Sequence, residues 1–528
     1  MACCRQADKP VPLMHSAPSN ISIGNRVSRS TPSFIARTML LSVLLMSCAL
    51  TMAGADMLVT TSGLLSGTQA PGGIVSFKGI RYAQPPTGQH RWQPPRAFRS
   101  KRQLTATDYG DRCLQSTRQP ATDLSEDCLF LNVWTPSISG QRPVMVSIHG
   151  GGFRAGSGNA RAHLAGEDIV YVTMNYRLGP LGFFAHQALR QQDANFGLLD
   201  IQLALQWIQD NIAAFGGDPN KVTIFGISAG GMAVNLLMAS PDTKNLFHGA
   251  ISQSGYATWA LPRSRHAPPA SVRGMSQEPA QRAETLSRVL VSSISEERQT
   301  PRTLRRLDGQ SLVAALQGFQ LPIVDGQSIP EEPGIRFVRG QQQPVPYISG
   351  GNSFEGSVMP ASGISPEDYQ RYWGSAFREV AEHYQNDFEV NATQGIRRMF
   401  GDHRYLLSAR VLTEAMAMIH TPAWRYYIDH ADEDQPGTRH GTDGFYLASG
   451  PLLPDETTRA MAMRLRTHWL SFVRTGAPGP TWPALDQQGH WYVFDDTDRY
   501  APVLEDKLNM MIEHFYDRTR LSPMSLTQ

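Results

Sequence analysis

Cysteine is scarce in this chain, with five among 528 residues, and no spacing of Cys and His matches a metal-binding pattern. A metal centre is therefore not expected, and no other motif calls for a cofactor. Internal repeats and low-complexity tracts are also missing, which sets aside solenoids and disordered scaffolds. Apolar runs are short: Met39 to Leu50 is too brief to span a bilayer, so no membrane span is expected. An excess of one charge is missing as well, since 48 Lys and Arg face 46 Asp and Glu. A basic surface for nucleic acid is not implied.

What is present is a hydrophobic fraction of 41%, ample for a packed core. The N-terminus carries Arg26, Arg29 and Arg37, then the Met39 to Leu50 run, then the small-residue site Met52-Ala53-Gly54-Ala55. That order reads as a cleaved export signal over residues 1–55, so a secreted or periplasmic protein is expected. Leu45-Met46-Ser47-Cys48 offers the alternative of lipid anchoring at Cys48. Cleavage would remove five cations (Arg5, Lys9, Arg26, Arg29, Arg37) against one anion (Asp8), turning the net charge of +2 into −2. It would also leave two cysteines, Cys113 and Cys128. In an exported protein such a pair reads as a disulfide, worth about 3 kcal/mol by loop entropy.

The densest chemical signal is Val222-Thr223-Ile224-Phe225-Gly226-Ile227-Ser228-Ala229-Gly230-Gly231. A β-branched run leads into Gly-x-Ser-x-Gly, and a helical apolar pattern follows in Met232, Ala233, Leu236 and Leu237. Glycines on such a turn let strand and helix approach closely and expose the serine, so Ser228 is a candidate nucleophile. A serine needs a base, an orienting acid and donors for the developing oxyanion. The run Val144 to Ile148 ends in His149-Gly150-Gly151-Gly152-Phe153, a strand entering glycine-rich backbone. Gly151 and Gly152 are the expected donors, with the N–H of Ala229 as the third.

Acid and base should follow the serine in that order. Val345 to Asn352 reads as a strand ending at Ser353-Phe354-Glu355-Gly356, which makes Glu355 the candidate acid. Trp424 to Ile428 reads as another strand, and beyond it lies Gly437-Thr438-Arg439-His440-Gly441. His440 is the candidate base, although His383, His403, His420, His430, His468, His490 and His514 also follow Glu355 and order alone does not choose among them.

Helical spacing recurs in Leu199, Leu203, Trp207 and Ile212, and in Met461, Leu465, Trp469, Phe472 and Val473, each ended by glycine. Ser254, after a strand-like run, is a candidate to support the site from behind. The stretch Leu261 to Pro301, rich in Pro, Ser and Arg, reads as loops and short helices with solvated arginines.

Taken together, Glu126 to Trp134, the His-Gly-Gly-Gly-Phe loop, Asn195 to Asp200, Phe215 to Pro219 and the serine turn resemble the type-B carboxylesterase family, which includes the cholinesterases. The resemblance runs from about Gly79 to the Trp482-Pro483 region. It implies an α/β-hydrolase fold: one α/β domain over 56–528 with a large, mostly parallel sheet flanked by helices. It also implies Ser228, Glu355 and His440 as a triad, Gly151, Gly152 and Ala229 as the oxyanion hole, and Arg91 with Glu126 as a structural ion pair. His440 is selected because the family's histidine sits in a His-Gly pair shortly before Tyr or Phe, as in Phe445-Tyr446 here.

The chain departs from the family at two places. Ile227 stands where the family usually has Glu, and residues 114–127, between the two cysteines, contain no Trp or Tyr for a quaternary ammonium. The expected function is hydrolysis of small neutral carboxylic esters, rather than choline esters, through an acyl-enzyme. An inactive esterase-like adhesion protein, and an amidase or lipase on the same machinery, are the alternatives. The oligomeric state is left open.

Overall fold

The computed structural model describes residues 57–519, apart from 70–72, 118–120, 160–163, 165, 269–281, 432–433 and 486–488. The expected export signal, with Cys48 and its cleavage site, lies outside the described residues.

Eleven strands form the main sheet: β1 (Thr68–Gln69), β2 (Val75–Arg81), β3 (Phe130–Thr135), β4 (Arg142–Ile148), β5 (Val170–Met174), β6 (Gly217–Ile227), β7 (Gly249–Gln253), β8 (Tyr347–Asn352), β9 (Ala423–Ile428), β10 (Trp491–Phe494) and β11 (Arg499–Ala501). They lie in the order β11-β10-β9-β8-β7-β6-β4-β5-β3-β2-β1. Every pairing from β10 across to β5 is parallel. The edges are antiparallel, through β3, β2 and β1 on one side and β11 on the other.

Parallel strands need helical crossovers on both faces, so their inner segments are apolar throughout rather than alternating. β5, β7, β8 and β9 are buried along their whole length. Val144, Val146, Val222 and Ile224 point into one core, shared with Leu205 and Ile208 of helix α1 (Phe196–Asn211) and Met232 and Leu236 of helix α2 (Ala229–Ala239). Their neighbours Met145 and Phe225, with Ile251 and Ile348, point the other way. A second core forms there against Leu465, Trp469 and Phe472. This mixed sheet between helices is the α/β-hydrolase fold.

The remaining helices that matter to the site are α3 (Ala283–Ser292), α4 (Ala392–Gly401), α5 (Leu407–Met418), α6 (Thr442–Ser449) and α7 (Glu456–Thr475). Of the helical stripes expected from spacing, the second lies wholly in α7 and the first in α1 except for Ile212, which opens the 3₁₀ turn Ile212–Phe215 that follows. β6 begins earlier than its β-branched run because Gly217 pairs with Arg142, with a break in register before Val222. Among the described residues, no helix is long and apolar enough to cross a membrane.

Cys113 and Cys128 form a disulfide with Cα atoms 4.9 Å apart. Arg91 donates from Nε to Glu126 at 2.8 Å and from Nη1 to the Leu307 carbonyl at 2.6 Å, which ties the N-terminal segment to a distant loop. One expectation needs correcting. Arg263, in the stretch expected to carry solvated arginines, is almost fully buried and bonds both oxygens of Glu332 at 2.6 and 2.8 Å. Glu332 lies 69 residues away, so composition near Arg263 holds no trace of its partner.

Candidate active site

Parallel strands all release their chains at the same edge of the sheet, and the candidate residues gather there. Ser228 follows β6, His149 follows β4, Ser254 follows β7, and Glu355 comes three residues after β8. Ser228 sits at φ 59° and ψ −120°, between β6 and α2. A non-glycine residue held there costs about 1–3 kcal/mol, and the surroundings over-determine it. Its N–H bonds the Gln253 carbonyl at 2.8 Å, and its own carbonyl accepts the Met232 N–H at 2.8 Å. The flanking glycines are required by proximity. A Cβ on Gly226 would lie 2.4 Å from the Gly230 backbone, and one on Gly230 would lie 2.1 Å from the Ile148 carbonyl oxygen.

Gly150, Gly151 and Gly152 lie against this turn. A Cβ on Gly150 would sit 3.4 Å from that of Ser228. Gly151 and Gly152 have φ of 107° and 63°, a region that L side chains avoid. Among the described residues, neither of them nor Ala229 donates its N–H to another protein group. Three backbone donors are thus uncommitted beside Ser228, and Ala229 opens α2, where the helix dipole adds positive potential. His149 stacks on Tyr176 at 4.3 Å, and burial pushes its pKa down to about 4. It is neutral at pH 7.

Glu355 is fully buried. Its Oε1 accepts from the Asn352 N–H at 2.7 Å, the Asn352 amide at 3.0 Å and the Ser254 hydroxyl at 2.6 Å. Its Oε2 accepts from His440 Nδ1. Burial pushes the Glu355 pKa up, but the His440 charge and these hydrogen bonds together hold it below the ordinary value. The loop carrying His440 is laced to the same segment. Phe354 N–H donates to the Thr438 carbonyl at 2.8 Å, and the His440 N–H donates to the Ser357 hydroxyl at 2.9 Å. His440 Nε2 is buried and has no hydrogen-bond partner among the described residues.

A serine on a strained turn, uncommitted backbone donors beside it and a carboxylate-held imidazole suit acyl transfer. Comparison with known proteins points the same way. The carboxylesterase family model matches residues 55–522. The chain belongs to the carboxylesterase family. It is 31% identical over 483 residues to the fumonisin B1 esterase of Sphingopyxis macrogoltabida, covering 82% of this chain and 85% of that one. It is 30% identical over 515 residues to the cholinesterase of Mus musculus, covering 84% and 82%. Among solved structures, a PNB esterase superposes with a TM-score of 0.74 at 27% identity, covering 87% of this chain and 99% of the other. A thermophilic PNB esterase gives the same score and identity. This carboxylesterase is accordingly a carboxylic ester hydrolase.

The esterase has site features that the motifs did not disclose. Asp443, three residues after His440, is fully buried, accepts from the Tyr426 hydroxyl at 2.6 Å and lies 3.5 Å from the Ser254 hydroxyl. Burial first, and the Glu355 charge second, raise its pKa. Two carboxyls therefore share one pocket, and Glu355 holds the charge in preference to Asp443. Nothing local marks Asp443 out; only its helical offset from His440 could have suggested it. Ile227 packs on α6, where a Cβ on Gly444 would meet its Cδ1 at 1.9 Å. Beside it lies a cavity of about 280 Å³, lined by Gly150, Leu164, Phe225, Ile227 and Leu447 among others, with no carboxylate on its walls.

His430, Asp495 and Asp496 bring metal-type ligand atoms within 4.8 Å of one another. Arg499 already pairs with Asp495 at 3.0 Å, and His430 Nδ1 lies 3.1 Å from Asp496, so these ligand atoms already have protein partners.

Proposed function

We propose that the esterase works through an acyl-enzyme on Ser228, with His440 as base and Glu355 as the orienting acid. The observation that carries this is the pairing of His440 Nδ1 with a buried Glu355 while Nε2 is left without a protein partner. An imidazole held in that tautomer presents an acceptor nitrogen to the Ser228 proton. As Oγ attacks the ester carbonyl, the proton passes to Nε2. The carbonyl oxygen becomes an oxyanion facing the N–H groups of Gly151, Gly152 and Ala229. Collapse expels the alcohol, which takes its proton from Nε2. Water then attacks the acyl-enzyme by the same route and frees the acid.

The proposed substrates are esters of uncharged alcohols rather than choline. Ile227 puts an alkyl group where the family usually has a carboxylate, and the adjoining cavity has no anionic wall. Residues 114–127 contain no Trp or Tyr to attract a quaternary ammonium through its ring face. In a panel of acylcholine, alkyl and p-nitrophenyl esters with matched acyl chains, kcat/KM is expected to favour the uncharged alcohols. A marked preference for acylcholine would overturn this.

A further inference from the structure

Arg404 lies in a π-helical turn, Asp402–Leu406, between α4 and α5. Such turns insert an extra residue into a helix and recur at functional sites. The side chain is 2% exposed. Other buried arginines of this chain have carboxylates: Arg177 pairs with Asp200 at 2.7 Å, and Arg263 with Glu332. Among the described residues no carboxylate bridges Arg404. Aromatic faces enclose it instead, with the guanidinium carbon 4.1 Å from the ring centre of Tyr256, 4.8 Å from Trp259, 5.8 Å from Phe400 and 5.9 Å from Tyr405. Ring faces offset only part of the cost of a buried charge. Arg404 Nε has no hydrogen-bond partner; the buried hydroxyls of Tyr256 and Tyr405 interact with the guanidinium, and neither has an acceptor for its own proton.

These donors adjoin the triad. The Tyr405 ring lies 4.7 Å from the His440 ring, and the Tyr256 ring 5.8 Å from that of Tyr405. Tyr256 follows Ser254 by two residues, and the Ser254 hydroxyl bonds Glu355 at 2.6 Å. The cluster therefore borders the His440–Glu355 pair, and Arg404 Nε and the two hydroxyl protons are donors without an acceptor.

We infer that Arg404, with the hydroxyls of Tyr256 and Tyr405, binds a carboxylate carried by the acyl half of the ester. This rests on the acyl-enzyme proposal and narrows it. The alcohol half stays uncharged, and the acyl half bears one acid group, as in a half-ester of a dicarboxylic acid. A substrate carboxylate supplies the missing counter-charge and accepts charge-assisted hydrogen bonds, which are stronger than those between neutral groups.

The test compares p-nitrophenyl half-esters of succinate, glutarate and adipate with the butyrate, valerate and hexanoate esters, subtracting enzyme-free hydrolysis. For the best acid-bearing chain, the ratio of kcat/KM between half-ester and neutral ester is expected to fall about tenfold or more in Arg404→Met, mainly through KM. Arg404→Lys should recover part of it. A ratio unchanged by Arg404→Met, or a wild-type enzyme that rejects all three half-esters while turning over their neutral counterparts, overturns the inference. Should the variant fail to fold, inhibition of the wild type by free dicarboxylates decides: stronger inhibition than by the matched neutral amides supports it, and equal inhibition overturns it. Failure of the acyl-enzyme proposal would look different, as neutral-ester turnover surviving in Ser228→Ala.

Discussion

Ser228→Ala is expected to lower ester turnover by about 10⁴-fold or more while the protein still folds. The expectation follows from what the hydroxyl does and what the backbone does without it. Oγ makes no hydrogen bond within the described chain, so its loss removes no native contact. The turn is held by the Ser228 N–H on Gln253, by Met232 on the Ser228 carbonyl, and by glycines on either side that admit no Cβ. An alanine can occupy the same strained angles, since strain at a positive φ comes from Cβ, which both residues carry. Steady-state assay of p-nitrophenyl esters, with thermal unfolding measured alongside, checks both halves. Loss of activity together with loss of the folded state would not meet the expectation.

Glu355→Gln is expected to cost about 10⁴-fold in kcat, although the two side chains are nearly the same size. The geometry leaves glutamine no good orientation. Oε1 of Glu355 accepts from three donors, the Asn352 N–H, the Asn352 amide and the Ser254 hydroxyl. If the glutamine NH₂ faced them, donor would meet donor in a site closed to water. If it faced His440, Nδ1 would have to accept, which moves the imidazole proton to Nε2 and leaves no acceptor for Ser228. Either way the imidazolium formed during attack loses its counter-charge. Measuring kcat and KM separately tests this: the loss should fall in kcat, and a change confined to KM would contradict it.

How much of this could be read from residues alone differs by element. The turn around Ser228 and the loop at Gly150–Gly152 are local: a β-branched run, glycines at fixed offsets and an apolar helix repeat specify each within about ten residues. α1 and α7 are legible for the same reason. The choice of His440 among eight histidines is not local, because it depends on Thr438 meeting Phe354 and on His440 meeting Ser357 across the sheet edge. Pairing of buried charges is equally hidden. Arg263 sits in a run that looks solvent-facing, and its ion pair is formed by packing of a segment far along the chain. Asp443 and Arg404 were invisible because an ionisable residue in an amphipathic or mixed helix is ordinarily on the wet face. Only the fold shows that one is enclosed beside Glu355 and the other among aromatic rings.

The most direct measurement of the central claim is stoichiometric labelling of the full-length protein with an active-site organophosphate, followed by intact mass and peptide mapping. One adduct per chain, on Ser228, with turnover falling in step and no adduct on Ser228→Ala, is the expected result. A stoichiometric adduct on a different serine, accompanied by the same loss of activity, would contradict it.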